Sequence, residues 1–124
     1  WCHGDLHPGN LMRRDGASAW GPEGNVLLDF AETHPGHWVE DAVYLERIYW
    51  GRPQALNGVK PVQLIAKARR AIGLDANDDY ATLANVRRVL MAATSPAFMH
   101  HEGRRPYLHA AIEVLEKTLP QVAK

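Results

Sequence analysis

The run His3-Gly4-Asp5-Leu6-His7-Pro8-Gly9-Asn10 decides how the rest of the chain is read. Two glycines and a proline in so short a stretch oppose a regular helix or strand, because glycine carries the largest backbone entropy cost and proline lacks an N–H. Just beyond the loop, Leu11-Met12 and then Val26-Leu27-Leu28-Asp29-Phe30 are short apolar segments. Gly16, Gly21, Pro22 and Gly24 interrupt the stretch between them, so the two segments are expected to form a hairpin with a long, irregular connection.

From Val39 onward the apolar period becomes helical. Val39, Ala42, Val43, Leu45, Ile48 and Tyr49 recur at three-to-four spacing and stop at Gly51. Pro61 to Ile72 is expected as a second helix, begun by proline and ended by Gly73. Asp78 or Asp79 would cap a third, with Tyr80, Leu83, Val86, Val89 and Leu90 inward and Ser95-Pro96 closing it. Tyr107, Leu108, Ala111, Ile112, Leu115 and Leu119 make a fourth after Pro106. The expected fold class is mainly α (α+β): one domain over residues 1–124, with a loop, a small β-hairpin beside it and a helical body.

At 124 residues the chain is long enough for one compact core and short for two. Its 14 Lys plus Arg balance 14 Asp plus Glu, so there is no basic field of the kind that nucleic-acid binding requires. Cys2, the single cysteine, has no internal disulfide partner, and no apolar run approaches the roughly 18 residues of a membrane helix. This composition predicts a soluble, cytoplasmic protein with neither nucleic acid nor membrane as partner. Residue 1 is Trp and no signal-peptide pattern follows, so a segment upstream is expected.

Asp5 and Asn10 stand five residues apart across a Pro-Gly bend, the spacing of a kinase catalytic loop. Phosphoryl transfer needs a carboxylate to orient an attacking hydroxyl and accept its proton, and a neutral oxygen ligand to help hold Mg²⁺ on the phosphates. Asp5 suits the first task. Asn10 suits the second, because an amide oxygen is a hard ligand. The apolar strand ending at Asp29 would fix a further carboxylate as a metal ligand.

These residues give the chain a family likeness. His3 to Asn10 resembles the His-Gly-Asp-x-x-x-x-Asn loop of aminoglycoside phosphotransferases and their choline kinase-like relatives, which share a protein-kinase-like fold. Gly4 stands where regulated protein kinases carry an Arg that can pair with a phosphorylated activation loop. Phe30 is followed by Ala31 where those kinases have glycine, and the connection from Asn10 to Asp29 is longer than usual for the family. The resemblance implies ATP as co-substrate, Mg²⁺ as cofactor and a small-molecule hydroxyl, on an aminoglycoside-type antibiotic or a metabolite, as acceptor. It assigns Asp5 as the catalytic residue and Asn10 and Asp29 as metal ligands. Asp41, at the start of the first helix, would accept hydrogen bonds from the loop backbone, and His3 would brace the loop as a packed histidine. His7, where protein kinases carry a Lys, would contact phosphate or substrate. By the same resemblance the chain is the helical C-terminal lobe, and an N-terminal ATP-binding lobe is its missing partner; the sequence holds neither Gly-x-Gly-x-x-Gly nor Gly-Lys-Ser/Thr.

Two other functions stay open. His3, Asp5 and His7 form a His-x-Asp-x-His cluster that, with His34 and His37, could serve a metal-dependent hydrolase. A catalytically silent kinase remnant is the other. Elsewhere, His34, His37, His100, His101 and His109 read as surface or supporting residues, and Trp20, Trp38, Trp50, Tyr44 and Tyr49 as core or hairpin packing. Glu32, Glu40, Glu46, Asp75, Asp78 and Asp79 could offer carboxylates to a cationic acceptor.

Overall fold

The computed structural model describes residues 1–102 and 105–123, the side chains of 98–102 excepted, so the side chains of His100 and His101 lie outside the described residues. A 3₁₀ turn at Pro8–Asn10 leads into β1 (Leu11–Arg14), and β2 (Gly24–Leu27) returns antiparallel to it. Helices α1 (Val39–Arg47), α2 (Pro61–Ala71), α3 (Tyr80–Glu102) and α4 (Arg105–Val122) follow, with a second 3₁₀ turn at Pro53–Leu56. The architecture is mainly α with one two-stranded sheet, the class expected from the period change at Val39. No helix of the described residues is long and apolar enough to cross a membrane.

In the hairpin Leu11 pairs with Leu27 and Arg14 with Gly24. The apolar run ending at Phe30 outlasts the strand it was expected to form. Pairing stops at Leu27, the Leu28 N–H turns to the Asn10 carbonyl at 2.9 Å, and Asp29 adopts a left-handed φ of 58°. Aspartate is among the few residue types that tolerate this region. Asp29 therefore sits in an exposed, irregular segment after the strand, flanked by exposed Leu28 and Phe30, and not at a buried strand end. Trp20, expected to pack, is 89% exposed at the tip of the connection.

The core begins at α1. Val39, Ala42 and Val43 form its buried stripe and meet Val62 of α2 and Ala84 of α3. Trp38, Ile65, Tyr80, Leu83 and Met91 close the margins. A second cluster joins Trp50, Ala92 and Ala111, where alanines let α3 and α4 approach closely. Gly51 belongs to the same contact: a Cβ there would stand 2.9 Å from the Tyr107 ring, so glycine lets Tyr107 of α4 close on the end of α1 and donate its hydroxyl to the Arg47 carbonyl. Arg88 of α3 grips Glu46 of α1 through two bonds of 2.8 Å, a fork that fixes the crossing of these helices.

α3 does not end at Ser95-Pro96 but runs through Pro96 to Glu102. A mid-helix proline forfeits one backbone bond and clashes with the carbonyl four residues back, yet here long packing against α4 carries the helix on. In the turn before the proline the Ser95 hydroxyl donates back to the Met91 carbonyl at 2.8 Å and the Thr94 hydroxyl to the Leu90 carbonyl at 2.9 Å. Val86 and Leu90, expected inward, are exposed, as are Ile112 and Leu119 of α4, because the interface between α3 and α4 uses the smaller residues.

Candidate active site

Burying Val39, Ala42 and Val43 fixes the rotation of α1 about its axis. Asp41 and Tyr44, three residues apart and so neighbours on the helix surface, are thereby presented to residues 3–5. Asp41 accepts the backbone N–H of His3 on Oδ2 at 2.7 Å and that of Gly4 on Oδ1 at 2.9 Å. One turn on, the Tyr44 hydroxyl donates to Asp5 Oδ1 at 2.6 Å. Three consecutive loop residues thus hang from one face of one helix.

The loop's own sequence lets it take this shape. Gly4 has φ 84°, and a Cβ on it would lie 2.3 Å from the backbone oxygen of Glu32. No side chain fits there, which is a local reason why arginine cannot stand at this position. His3 is 6% exposed and commits both ring nitrogens: Nε2 donates to the Leu28 carbonyl at 2.8 Å, which leaves Nδ1 to accept the Asp5 N–H at 3.3 Å. Phe30 packs against the His3 ring, with centroids 5.0 Å apart. Cys2 and His34 exchange backbone hydrogen bonds at 2.9 and 3.2 Å, closing the segment after Asp29 onto the start of the loop.

Asn10 is buried at the end of the 3₁₀ turn that His7 caps by accepting the Gly9 N–H at 3.0 Å. Its amide nitrogen donates to the Asp5 carbonyl at 3.0 Å and to Asp5 Oδ2 at 3.2 Å. His7 Nε2 stands 3.4 Å from the same carboxylate oxygen. The Tyr44 hydroxyl bond holds the Asp5 carboxyl below the usual carboxylate value; partial burial opposes this, and His7, Asn10 and His3 add to it. Asp5 is therefore an ionised, oriented carboxylate across the neutral range.

Since the Asn10 nitrogen is spent on Asp5, its amide oxygen is the atom left to face a ligand. The Asp29 carboxylate is exposed and makes no ion pair among the described residues. Its neighbour Leu28 is pinned on both sides, by the Asn10 carbonyl and by the His3 ring. Two hard oxygens from tethered positions suit Mg²⁺, which takes one or two carboxylates and keeps its remaining positions for water and phosphate.

His3, Asp5, His7, Asn10 and Asp41 form one connected network, and Asp29 joins it through the Leu28 backbone. The His-x-Asp-x-His cluster does not gather on a cation, because both His3 nitrogens are already engaged. Among the described residues the one grouping of three potential metal ligands is Cys2, His34 and Glu40; it contains His34, which could have completed that cluster, but none of His3, Asp5 and His7, and Glu40 is already paired with Arg87. Tyr44, expected in the core, belongs to the site; its place three residues after Asp41 was the signal that could have found it. Asp5 opens on a cleft of about 570 Å³ walled by His7, Tyr44, Ile48, Tyr49 and Arg52.

Residues 1–85 match the model of a family described as the phosphotransferase enzyme family. No curated protein and no solved structure matches the chain.

Proposed function

The chain belongs to the phosphotransferase enzyme family, and from that premise we propose that it carries the acceptor-side and metal-holding half of a site that moves the γ-phosphoryl group of ATP to a hydroxyl of a small molecule. One observation carries the reading: Asp5 is held by Tyr44 and Asn10 at the edge of an open cleft, with the Asn10 amide oxygen left over. In this reading Asp5 orients the acceptor hydroxyl. As the acceptor oxygen bonds to phosphorus, the bond from phosphorus to the β,γ-bridging oxygen breaks, ADP leaves with the electron pair, and the hydroxyl proton passes to Asp5. A weak base suffices for a loose transition state of this kind, where positioning supplies most of the acceleration. Asn10 and Asp29 would hold Mg²⁺, which would neutralise phosphate charge. His7, beside Asp5, would meet the transferred group as a hydrogen-bond donor. A glycine-rich cover and a strand Lys for the nucleotide would come from a partner lobe outside residues 1–124.

Phosphate-transfer kinetics on the full-length protein that contains this chain test the assignment. Asp5→Ala should lower kcat by about 10²-fold or more with Mg-ATP affinity nearly intact, whereas Asp29→Ala should remove productive Mg-ATP binding. Retention of more than about half the activity by Asp5→Ala would refute the role given to Asp5.

A further inference from the structure

The cleft beside Asp5 is unequal in charge. Among the described residues Asp5 is its one carboxylate, and that group already accepts from Tyr44 and Asn10. The same cleft is lined by Arg52, an exposed residue whose guanidinium lies over the Tyr49 ring, 5.6 Å from its centroid. Among the described residues Arg52 has no carboxylate partner. Its backbone is fixed, since its N–H donates to the Tyr49 carbonyl at 2.9 Å and it opens the 3₁₀ turn at Pro53–Leu56. Two of the acids that the sequence could offer to a cationic acceptor are already paired: Glu46 is forked by Arg88, and Glu40 pairs with Arg87 and His34.

A polycationic acceptor needs several carboxylates to replace the water around its ammonium groups, and this wall would set an unpaired guanidinium against them instead. An anion meets the opposite situation. A guanidinium presents a planar fork that matches a carboxylate or phosphate, and Arg52 lies over the Tyr49 ring within cation–π reach. We propose that the acceptor is a small hydroxyl compound bearing a carboxylate or phosphate group, which pairs with Arg52 while the hydroxyl lies at Asp5 and the body of the molecule rests on Ile48 and Tyr49. A volume of about 570 Å³ falls within the roughly 300–1,000 Å³ of small-molecule sites. This inference rests on the phosphotransferase reading and narrows it to one acceptor class.

The test is a set of hydroxyl compounds sorted by charge, offered with Mg-ATP to the full-length protein and its Arg52→Gln, Arg52→Lys and Asp5→Asn variants. The set contains hydroxycarboxylates such as glycerate, phosphate esters such as glycerol 3-phosphate, neutral sugars, choline and kanamycin. The expected result is highest kcat/KM on an anionic member; the glycerate and glycerol phosphate arms tell carboxylate from phosphate. Arg52→Gln should raise the KM of that acceptor about tenfold with kcat little changed, and Arg52→Lys should recover part of the loss. Best turnover on a neutral or cationic member, or an anionic KM indifferent to Arg52→Gln, overturns the proposal. Asp5-dependent ATP hydrolysis with no anionic acceptor overturns the anionic assignment alone. Absence of any Asp5-dependent ATP hydrolysis overturns the phosphotransferase reading, and the acceptor class with it.

Discussion

Replacing Asp41 should cost more stability than its half-buried position suggests. Asp41 takes two backbone N–H groups at 2.7 and 2.9 Å, and the first belongs to His3, a buried residue. Hydrogen bonds to a charged group contribute about 1.5–3 kcal/mol each, and a buried donor left unpaired loses its hydration as well. Taking the lower end for each, because the carboxylate is partly solvated, Asp41→Ala should destabilise the protein by about 3 kcal/mol. For a chain of this size that corresponds to a fall in Tm of roughly 10 °C. Asp41→Asn should be nearly as harmful: its one amide oxygen can accept one N–H, while its NH₂ is set against the other. Urea denaturation followed by circular dichroism, with a thermal melt alongside, measures both variants. A loss under about 1 kcal/mol for Asp41→Ala, or an Asn variant as stable as the original, would refute the idea that α1 suspends the loop.

Gly4→Ala should lose about 3 kcal/mol, combining left-handed strain with the collision against the Glu32 carbonyl, and chemical denaturation reads it directly; a loss under 1 kcal/mol would mean that the loop yields easily. Tyr44→Phe should move the Asp5 titration up toward the ordinary value of 3.8, because the principal group lowering it is gone; the carboxyl carbon shift in an NMR titration measures this, and an unmoved or falling value contradicts it. The sign for stability follows. Asp5, with a folded value below 3.8, contributes stability that is present above that pH and is lost as pH falls through the folded value, and Tyr44→Phe should shrink this contribution.

The loop from His3 to Asn10 was legible because its chemistry is local: glycine, proline and polar residues at fixed spacing leave few other readings. The family was legible from the same residues, and the model that matches residues 1–85 agrees with it. The helical body was legible from its period, since buried positions must share a stripe. What the sequence hid is what tertiary contact decides. Pro96 reads as a stop, and only the packing of α3 on α4 overrides it. Val26 to Phe30 reads as one strand, but a side-chain pattern does not reveal that the Leu28 N–H turns to Asn10 or that Asp29 goes left-handed. Tyr44 shares its aromatic character with core residues, and nothing local distinguishes a ring that packs from a hydroxyl that reaches a carboxylate.

The suspension of the loop from α1 also governs how that segment opens. A stretch with two glycines and a proline would ordinarily fray on its own, and its amide hydrogens would exchange with solvent quickly. Here the amides of His3 and Gly4 have their acceptor on a helix whose far side is the centre of the core. Their release requires Asp41 to move, and Asp41 moves with Val39, Ala42 and Val43. The least regular part of the backbone thereby shares the opening free energy of the most deeply packed helix, and its amides belong among the slow-exchanging ones.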